Sequence, residues 1–454
     1  ATRVKRAIVF IGILLLFAAR PAGAQLLNAP WVEESQERVE KIRMGSMRII
    51  VLDEAGDPVP RATVKIDMLS HAFPFGVHVS KDMLERWPSK DSFGKAPLYR
   101  CFNAISLDRL TTWDRTQPES DKWDFSEVEP WLKLAKEHRL LVRWGGVVPS
   151  DPGRMPRWAA SLKGEELAAA LQTHTARVLR DYGQRVAQFD ILTQTLDHRY
   201  VEQELGMGMV RRLYRLAETE VPGRPMPWEF GRAALHLDDA FGADRLQKAL
   251  RRVTAMREGF VDIDSIAIEV RLSGSIVEAP VTRSIKFLGD PGLPVLITNL
   301  ETAGPSETGA AINLETAMRA MFSQRTVKGI WLAGTTAEDF RDSSAALIDK
   351  KGQLTTAGEL FDQLVHKLWW SNESRTTDEI GNARARVYAG LHRITATLPD
   401  GRTVTTEVVL EASEIGERLI VLQPLGKAKE APAAPVKTIF DDPSQRPTVD
   451  ASPE

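Results

Sequence analysis

The stretch Val186-Ala-Gln-Phe-Asp-Ile-Leu-Thr-Gln194, continuing through Thr195, Leu196 and Asp197, decides the fold. Its first part is apolar and β-branched enough for a parallel strand buried on both faces. Helical patterns flank it at 165–182 and 201–220, so the segment reads as one strand–helix unit. The same alternation repeats outward in both directions. Strands are expected near 73–79, 104–107, 140–147, 186–194, 233–238, 263–272, 294–300 and 327–334. Amphipathic helical patterns such as 127–138, 167–182, 244–256 and 314–324 lie between them.

Eight strand–helix units predict an α/β fold, a TIM (β/α)8 barrel over 72–371, with functional groups at the C-terminal ends of the strands. Composition agrees with a globular chain: of 454 residues, 43% are hydrophobic and 26% charged. A net charge of −2 gives no case for nucleic acid or an anionic membrane surface. One cysteine, Cys101, rules out an internal disulfide. The eight histidines show no metal-ligand spacing, so neither a metal nor another cofactor is expected.

Residues 1–24 read as a signal peptide. Arg3, Lys5 and Arg6 precede an apolar run at 7–19, and Ala22-Gly23-Ala24 offers a small-x-small cleavage pattern before Gln25. The run is short for a membrane span, so a secreted or periplasmic protein is expected, with no membrane attachment once the segment is removed. A small β-module is expected within 25–71, from the alternation in Met47-Arg-Ile-Ile-Val-Leu52, the turn at Glu54-Ala-Gly-Asp-Pro58 and the second alternation in Ala62-Thr-Val-Lys-Ile-Asp67. Further β-strands are expected over 372–423. Residues 424–454, rich in Pro, Ala, Lys and Asp, read as a disordered tail.

The frame Phe189-Asp-Ile-Leu-Thr-Gln194 resembles Trp-Asp-Val-Val-Asn-Glu, the fourth-strand motif of glycoside hydrolase family 10, the endo-1,4-β-xylanases. Phe73-Pro-Phe-Gly76 is similar to that family's opening strand. Trp113, Pro118 and Phe125 sit in the frame of its second-strand region, and Leu347-Ile-Asp349 with Trp369 and Trp370 resemble its closing segment. Ala385-Arg-Val-Tyr-Ala-Gly-Leu391 resembles a strand that some members carry after the barrel, and 53–64 looks like an Ig-like module signature.

The resemblance implies a retaining glycosidase, which needs two carboxyl groups roughly 5 Å apart, one nucleophile and one acid/base. At the implied acid/base position stands Gln194, and at the implied nucleophile position, in Leu296-Ile-Thr-Asn299, stands Asn299. An amide neither protonates a leaving oxygen nor forms a glycosyl ester. The implied sugar-gripping residues depart as well. Arg109-Leu-Thr-Thr-Trp113 keeps only the Trp, Arg143-Trp144-Gly145 lacks the His, Glu269-Val-Arg271 replaces Gln-x-His, and Ala333 stands where a platform Trp is implied.

Glu301, two residues beyond Asn299, and Asp197, three beyond Gln194, are candidates for displaced carboxylates. Trp113, Arg143, Arg271, Glu269 and Asp238 are candidates for binding substrate. Arg109, Arg143 and Arg271 either converge to bind a carboxylate or phosphate, or pair with Asp238, Glu269 and Asp190. Trp144 has the parity of a helix-facing core residue. Three functions stay open: a non-catalytic relative that binds a plant-cell-wall or other polysaccharide or a protein partner, a glycosidase of xylan-type polysaccharide with displaced carboxylates, and a structural envelope protein.

Overall fold

A computed structural model describes residues 29–88, 96–225, 227–233, 240–261, 263–411 and 417–424. The expected signal peptide, Asp238 and nearly all of the expected tail lie outside these residues. Eight strands join through seven parallel pairings into one curled sheet. In chain order these barrel strands are Phe75–His78, Ala104–Ser106, Leu141–Trp144, Gln188–Phe189, Trp228–Ala233, Ile266–Leu272, Val295–Thr302 and Val327–Leu332. Strand one pairs with strand eight, so the ladder runs 4-3-2-1-8-7-6-5. Across the remaining seam, the Phe189 amide donates to the Pro225 carbonyl at 3.2 Å.

The fifth strand lies earlier than expected, at Trp228–Ala233 and not at 233–238. Both windows alternate apolar with polar residues, and period alone does not choose between them. The barrel interior is filled by Trp331, which packs with Ala104, Ala267 and Leu296. Small neighbours make room for it: a Cβ on Gly76 would stand 2.1 Å from the Trp331 ring. The bulky indole takes the space that Gly76, Gly329, Ala104 and Ala267 leave at the barrel floor.

The two β-rich ends of the chain form one domain, which corrects the expectation of a separate module at 25–71 and separate strands at 372–423. Met44–Val51 lies between Asn382–Tyr388, antiparallel, and Glu417–Leu422, parallel. Facing it, Thr63–His71 lies between Asn372–Thr376 and Gly390–Thr397, which in turn pairs with Thr403–Leu410. The sandwich has its own core of Met47, Ile49, Val51, Val64, Ile66, Val387, Ile394 and Leu422. Large and small residues alternate across the ladder, Met47 opposite Ala385 and Ile49 opposite Ala383.

Pro30–Arg43, inside the segment expected to hold only a β-module, is a helix with Pro at its start. Its Arg43 donates to the Phe322, Gln324 and Val327 carbonyls at 3.1, 2.7 and 2.8 Å, pinning the helix at the N-terminal end of strand eight. The opposite end of the barrel is left to the loops that follow the strands. Among the described residues no helix is long and apolar enough to cross a membrane.

Candidate active site

Strand alternation sends His78, Ser106, Arg143 and Glu269 inward near the C-terminal ends of their strands, with Asp108 and Asp190 just beyond. Arg143 is the hub, and it is almost wholly buried. Its guanidinium donates to Ser106 Oγ at 2.8 Å and to both Asp108 oxygens at 2.9 Å, and also to Asp190 Oδ2. Asp190 also accepts from Gln188 Nε2 at 3.1 Å, and Asp108 accepts from Ser106 Oγ at 2.7 Å. His78 closes the ring, with Nδ1 3.7 Å from Asp108 and Nε2 bonded to the Thr298 carbonyl.

Gly145 makes this network possible. A Cβ there would fall 1.5 Å from Asp108 Oδ1, so the carboxylate occupies the volume that any side chain at 145 would need.

The charges divide unequally. Burial raises Asp108, but the Arg143 guanidinium and His78 outweigh it and hold the carboxyl below its ordinary range. Burial pushes Asp190 up to about 6 in spite of Arg143. Burial and then the Asp108 charge raise Glu269, against the pull of Arg143, Arg154 and Arg341. Burial lowers His78 despite Asp108.

A second layer surrounds this ring. Gln194 follows a short two-strand pairing of Val148–Pro149 with Leu192–Thr193 above the barrel, and its φ of +59° lies in the left-handed region uncommon outside glycine. Asn299 sits beside Glu269 in the ladder, and its Oδ1 is buried with no hydrogen-bond partner among the described residues. Arg109 is clamped to Asp339 Oδ1 at 3.0 Å and to the Ala333 and Asp339 carbonyls at 2.8 and 2.7 Å. Among the described residues no group of acids, His or Cys could hold a metal ion.

The model of the Glycosyl hydrolase family 10 matches residues 66–363, which spans the whole barrel. The chain belongs to glycosyl hydrolase family 10. Within the family-10 comparisons, the anti-sigma-I factor RsgI6 of Acetivibrio thermocellus is 21% identical over 370 residues, covering 81% of this chain and 47% of that protein. Endo-1,4-beta-xylanase 1 of Arabidopsis thaliana is 22% identical over 367 residues, covering 80% of this chain and 37% of that one. The chain thus spans less than half the length of these two relatives. Xylanase 10B from Thermotoga petrophila, solved with xylobiose, has a TM-score of 0.53 at 16% identity, covering 76% of this chain and 99% of that one. Native xylanase10C from Cellvibrio japonicus gives 0.51 at 17%, covering 65% and 71%. At that identity the likeness is one of fold, a family-10 TIM barrel.

Against this family-10 barrel, the candidate residues separate clearly. Glu301 does not face an open site: Oε2 takes Arg271 Nη2 at 2.8 Å, and Oε1 accepts the Arg341 and Asp342 amides at 3.0 and 3.1 Å. Asp197 is bound end-on by Arg245 Nη1 and Nη2, both bonds at 2.9 Å, and that hydrogen-bonded pair, opposed by partial burial, holds it below its ordinary range. Trp113 is fully buried, donating to Gln117 Oε1 at 2.9 Å and stacked on His174, so it is core and not a sugar platform. Trp144 is likewise buried, among Phe125, Tyr182 and Phe189.

Of the expected arginine partners within the described residues, Asp190 is met, by Arg143, and Glu269 is not. Arg109 takes Asp339, and Arg271 takes Glu301. The residues that sequence reasoning passed over are Asp108, Ser106 and His78. Their signal was parity, Asp108 two positions beyond Ser106 and His78 two beyond Gly76.

Proposed function

We propose that this barrel is a non-catalytic member of its family, an exported domain that holds a glycan of the xylan type without cleaving it. The observation that carries this reading is the Arg143 network. It fills the layer beneath the mouth with Asp108 and Asp190, each already engaged by a guanidinium. Gln194 and Asn299 offer amides where the family resemblance implies the acid/base and the nucleophile. The two displaced candidates, Glu301 and Asp197, are neutralised in ion pairs of their own. The match to a protein named an anti-sigma-I factor favours a regulatory setting over a digestive one.

Turnover of xylan and aryl xylosides tests the proposal. Loss of general acid catalysis alone removes about 10²–10⁴-fold, and loss of the nucleophile adds to it, so activity is expected at the empty-vector level. Gln194→Glu with Asn299→Glu is expected to recover weak activity at best, because Asp108 still fills the space beside Gly145. Hydrolysis well above control that disappears in Glu301→Gln or Asp197→Asn overturns the reading and restores the displaced-carboxylate alternative.

A further inference from the structure

The sandwich sets three strands against four: Asn382–Tyr388, Met44–Val51 and Glu417–Leu422 against Asn372–Thr376, Thr63–His71, Gly390–Thr397 and Thr403–Leu410. The larger sheet is one strand wider, and burial places the shortfall at Thr403–Leu410. In its ladder with Gly390–Thr397, Ile394 stands beside Thr406 and Ala396 beside Val404. Ile394 and Ala396 are fully buried, whereas Val404, Thr406 and Val408, on the same face of the neighbouring strand, are only partly covered.

In the smaller sheet, Glu417–Leu422 is an open edge. It pairs on one side with Met44–Val51 and on the other with no strand among the described residues. The Leu422 carbonyl accepts the Leu52 amide at 2.8 Å, and backbone groups alternate sides along a strand, so the amides and carbonyls of Leu419 and Val421 point to the open side. Their side chains lie on the outer face, 55% and 52% exposed, in register with Arg48 and Ile50. Ile380, 62% exposed, joins them at the end of Met44–Val51, where the Gly381 carbonyl accepts the Val51 amide at 2.9 Å. These are three of the five exposed large hydrophobic residues among those described. An unpaired edge, an exposed apolar face and a partly covered floor together form a slot for one more strand.

We infer that residues 436–440 of the same chain fill this slot as a fourth strand of the smaller sheet, antiparallel to Glu417–Leu422. Val436-Lys-Thr-Ile-Phe440 is the run richest in β-branched and aromatic residues after Leu422, and it is bounded by Pro435 and by Asp441-Asp442-Pro443. Alternation puts Val436, Thr438 and Phe440 on one face, where they cover Val404 and Val408. Ile439 falls on the other face, beside Leu419 and Val421. Residues 423–435, thirteen in all, connect the two strands. Extended, they reach about 45 Å, more than twice the roughly 20 Å of a six-residue strand. This tether holds the segment at an effective concentration on the order of mM, which favours it over a second copy of the chain at micromolar protein.

Hydrogen–deuterium exchange by mass spectrometry on the whole protein tests it. The amides of 436–440 are expected to exchange at least about tenfold more slowly than in an isolated peptide of the same sequence. Phe440→Asp, outside the barrel and the sandwich core, is expected to abolish that protection and to speed exchange at Leu419 and Val421. A fluorescent peptide of residues 434–443 is expected to bind the Phe440→Asp protein at least about tenfold more tightly than the parent, whose slot its own segment fills. Exchange of 436–440 at the peptide rate overturns the inference, whether or not Leu419 and Val421 are protected. Protection that fades on dilution, with a dimer in sedimentation, gives the slot to a second copy and overturns it as well. Protection unchanged by Phe440→Asp, no peptide binding, or equal peptide binding to both proteins does the same. None of these outcomes depends on what the barrel mouth binds.

Discussion

Replacing Arg143 by Met strips the cation from the barrel's polar layer while nearly conserving the length of the side chain. Asp190, fully buried, loses its guanidinium partner, and Asp108 loses both of its 2.9 Å bonds. Removing one partner of a buried ion pair costs about 3–5 kcal/mol, because the other charge stays behind. With a urea m-value of about 3 kcal/mol/M, at the upper end for small domains, the midpoint falls by about 1–1.7 M. Urea unfolding followed by the fluorescence of the buried barrel tryptophans measures it.

The cost depends on pH in a defined direction. Asp190 has a folded pKa above its unfolded one, so its proton is already favoured in the native state, and the unpaired carboxyl escapes its penalty by taking it. The difference between Arg143→Met and the parent therefore shrinks as pH falls from 7 to 5.5. Arg143→Met combined with Asp190→Asn is expected to recover a coupling of at least about 1 kcal/mol relative to the sum of the single changes. A midpoint shift under about 0.3 M, or one equal at both pH values, contradicts the claim that Arg143 compensates a buried carboxylate.

The remaining predictions concern other parts of the fold. His71 and His174 are lowered to about 3 and His392 to about 4, all by burial, so each stays neutral in the folded state while its unfolded counterpart protonates below about 6.5. Their stabilisation is complete above that pH and is lost at about 1.4 kcal/mol per pH unit each below it, against a gain from Asp190 of similar size per group. Cooperative acid unfolding between about pH 4 and 5.5 is expected by far-UV circular dichroism, and a flat signal to pH 4 contradicts it. Gly145→Ala drives a methyl into Asp108 and is expected to lower stability by about 1–3 kcal/mol in urea, whereas Gly352→Ala, in open space but at positive φ, reports the backbone cost alone. Trp331→Ala empties the barrel floor and is expected to cost about 3–5 kcal/mol by the same assay. Glu301→Gln breaks the Arg271 pair and is expected to cost about 1–3 kcal/mol without altering xylan turnover.

The barrel was legible because each strand is a short apolar run set between helical patterns, and that signal is local. Strand five was displaced by five residues because two adjacent windows share a period of two, and nothing nearby breaks the tie. The sandwich was legible as strands but not as one domain. The partner of Met47 is Ala385, and no local pattern links positions so far apart.

In the site, the amides Gln194 and Asn299 could be read from the chain, but the reason for Gly145 could not. It looked like a deleted sugar ligand, and in space it is the clearance for Asp108. Glu301 looked free because its partners come from strand six and from the backbone at 341–342, after strand eight.

The sandwich takes its strands from both ends of the chain, and this sets a timetable during synthesis. The ribosome delivers Met44–Val51 and Thr63–His71 first, then the entire barrel, and only afterwards Asn382–Tyr388 and Gly390–Thr397. At about 5–20 residues per second, the roughly 340 residues between Met47 and its partner take on the order of 15–70 s to emerge. Throughout that interval Met47, Ile49, Val51, Val64 and Ile66 lack the strands that cover them. Arg48, Lys65 and Asp67, which alternate with these apolar residues, are the charges that discourage two nascent chains from zipping edge to edge while the late strands are still in the exit tunnel.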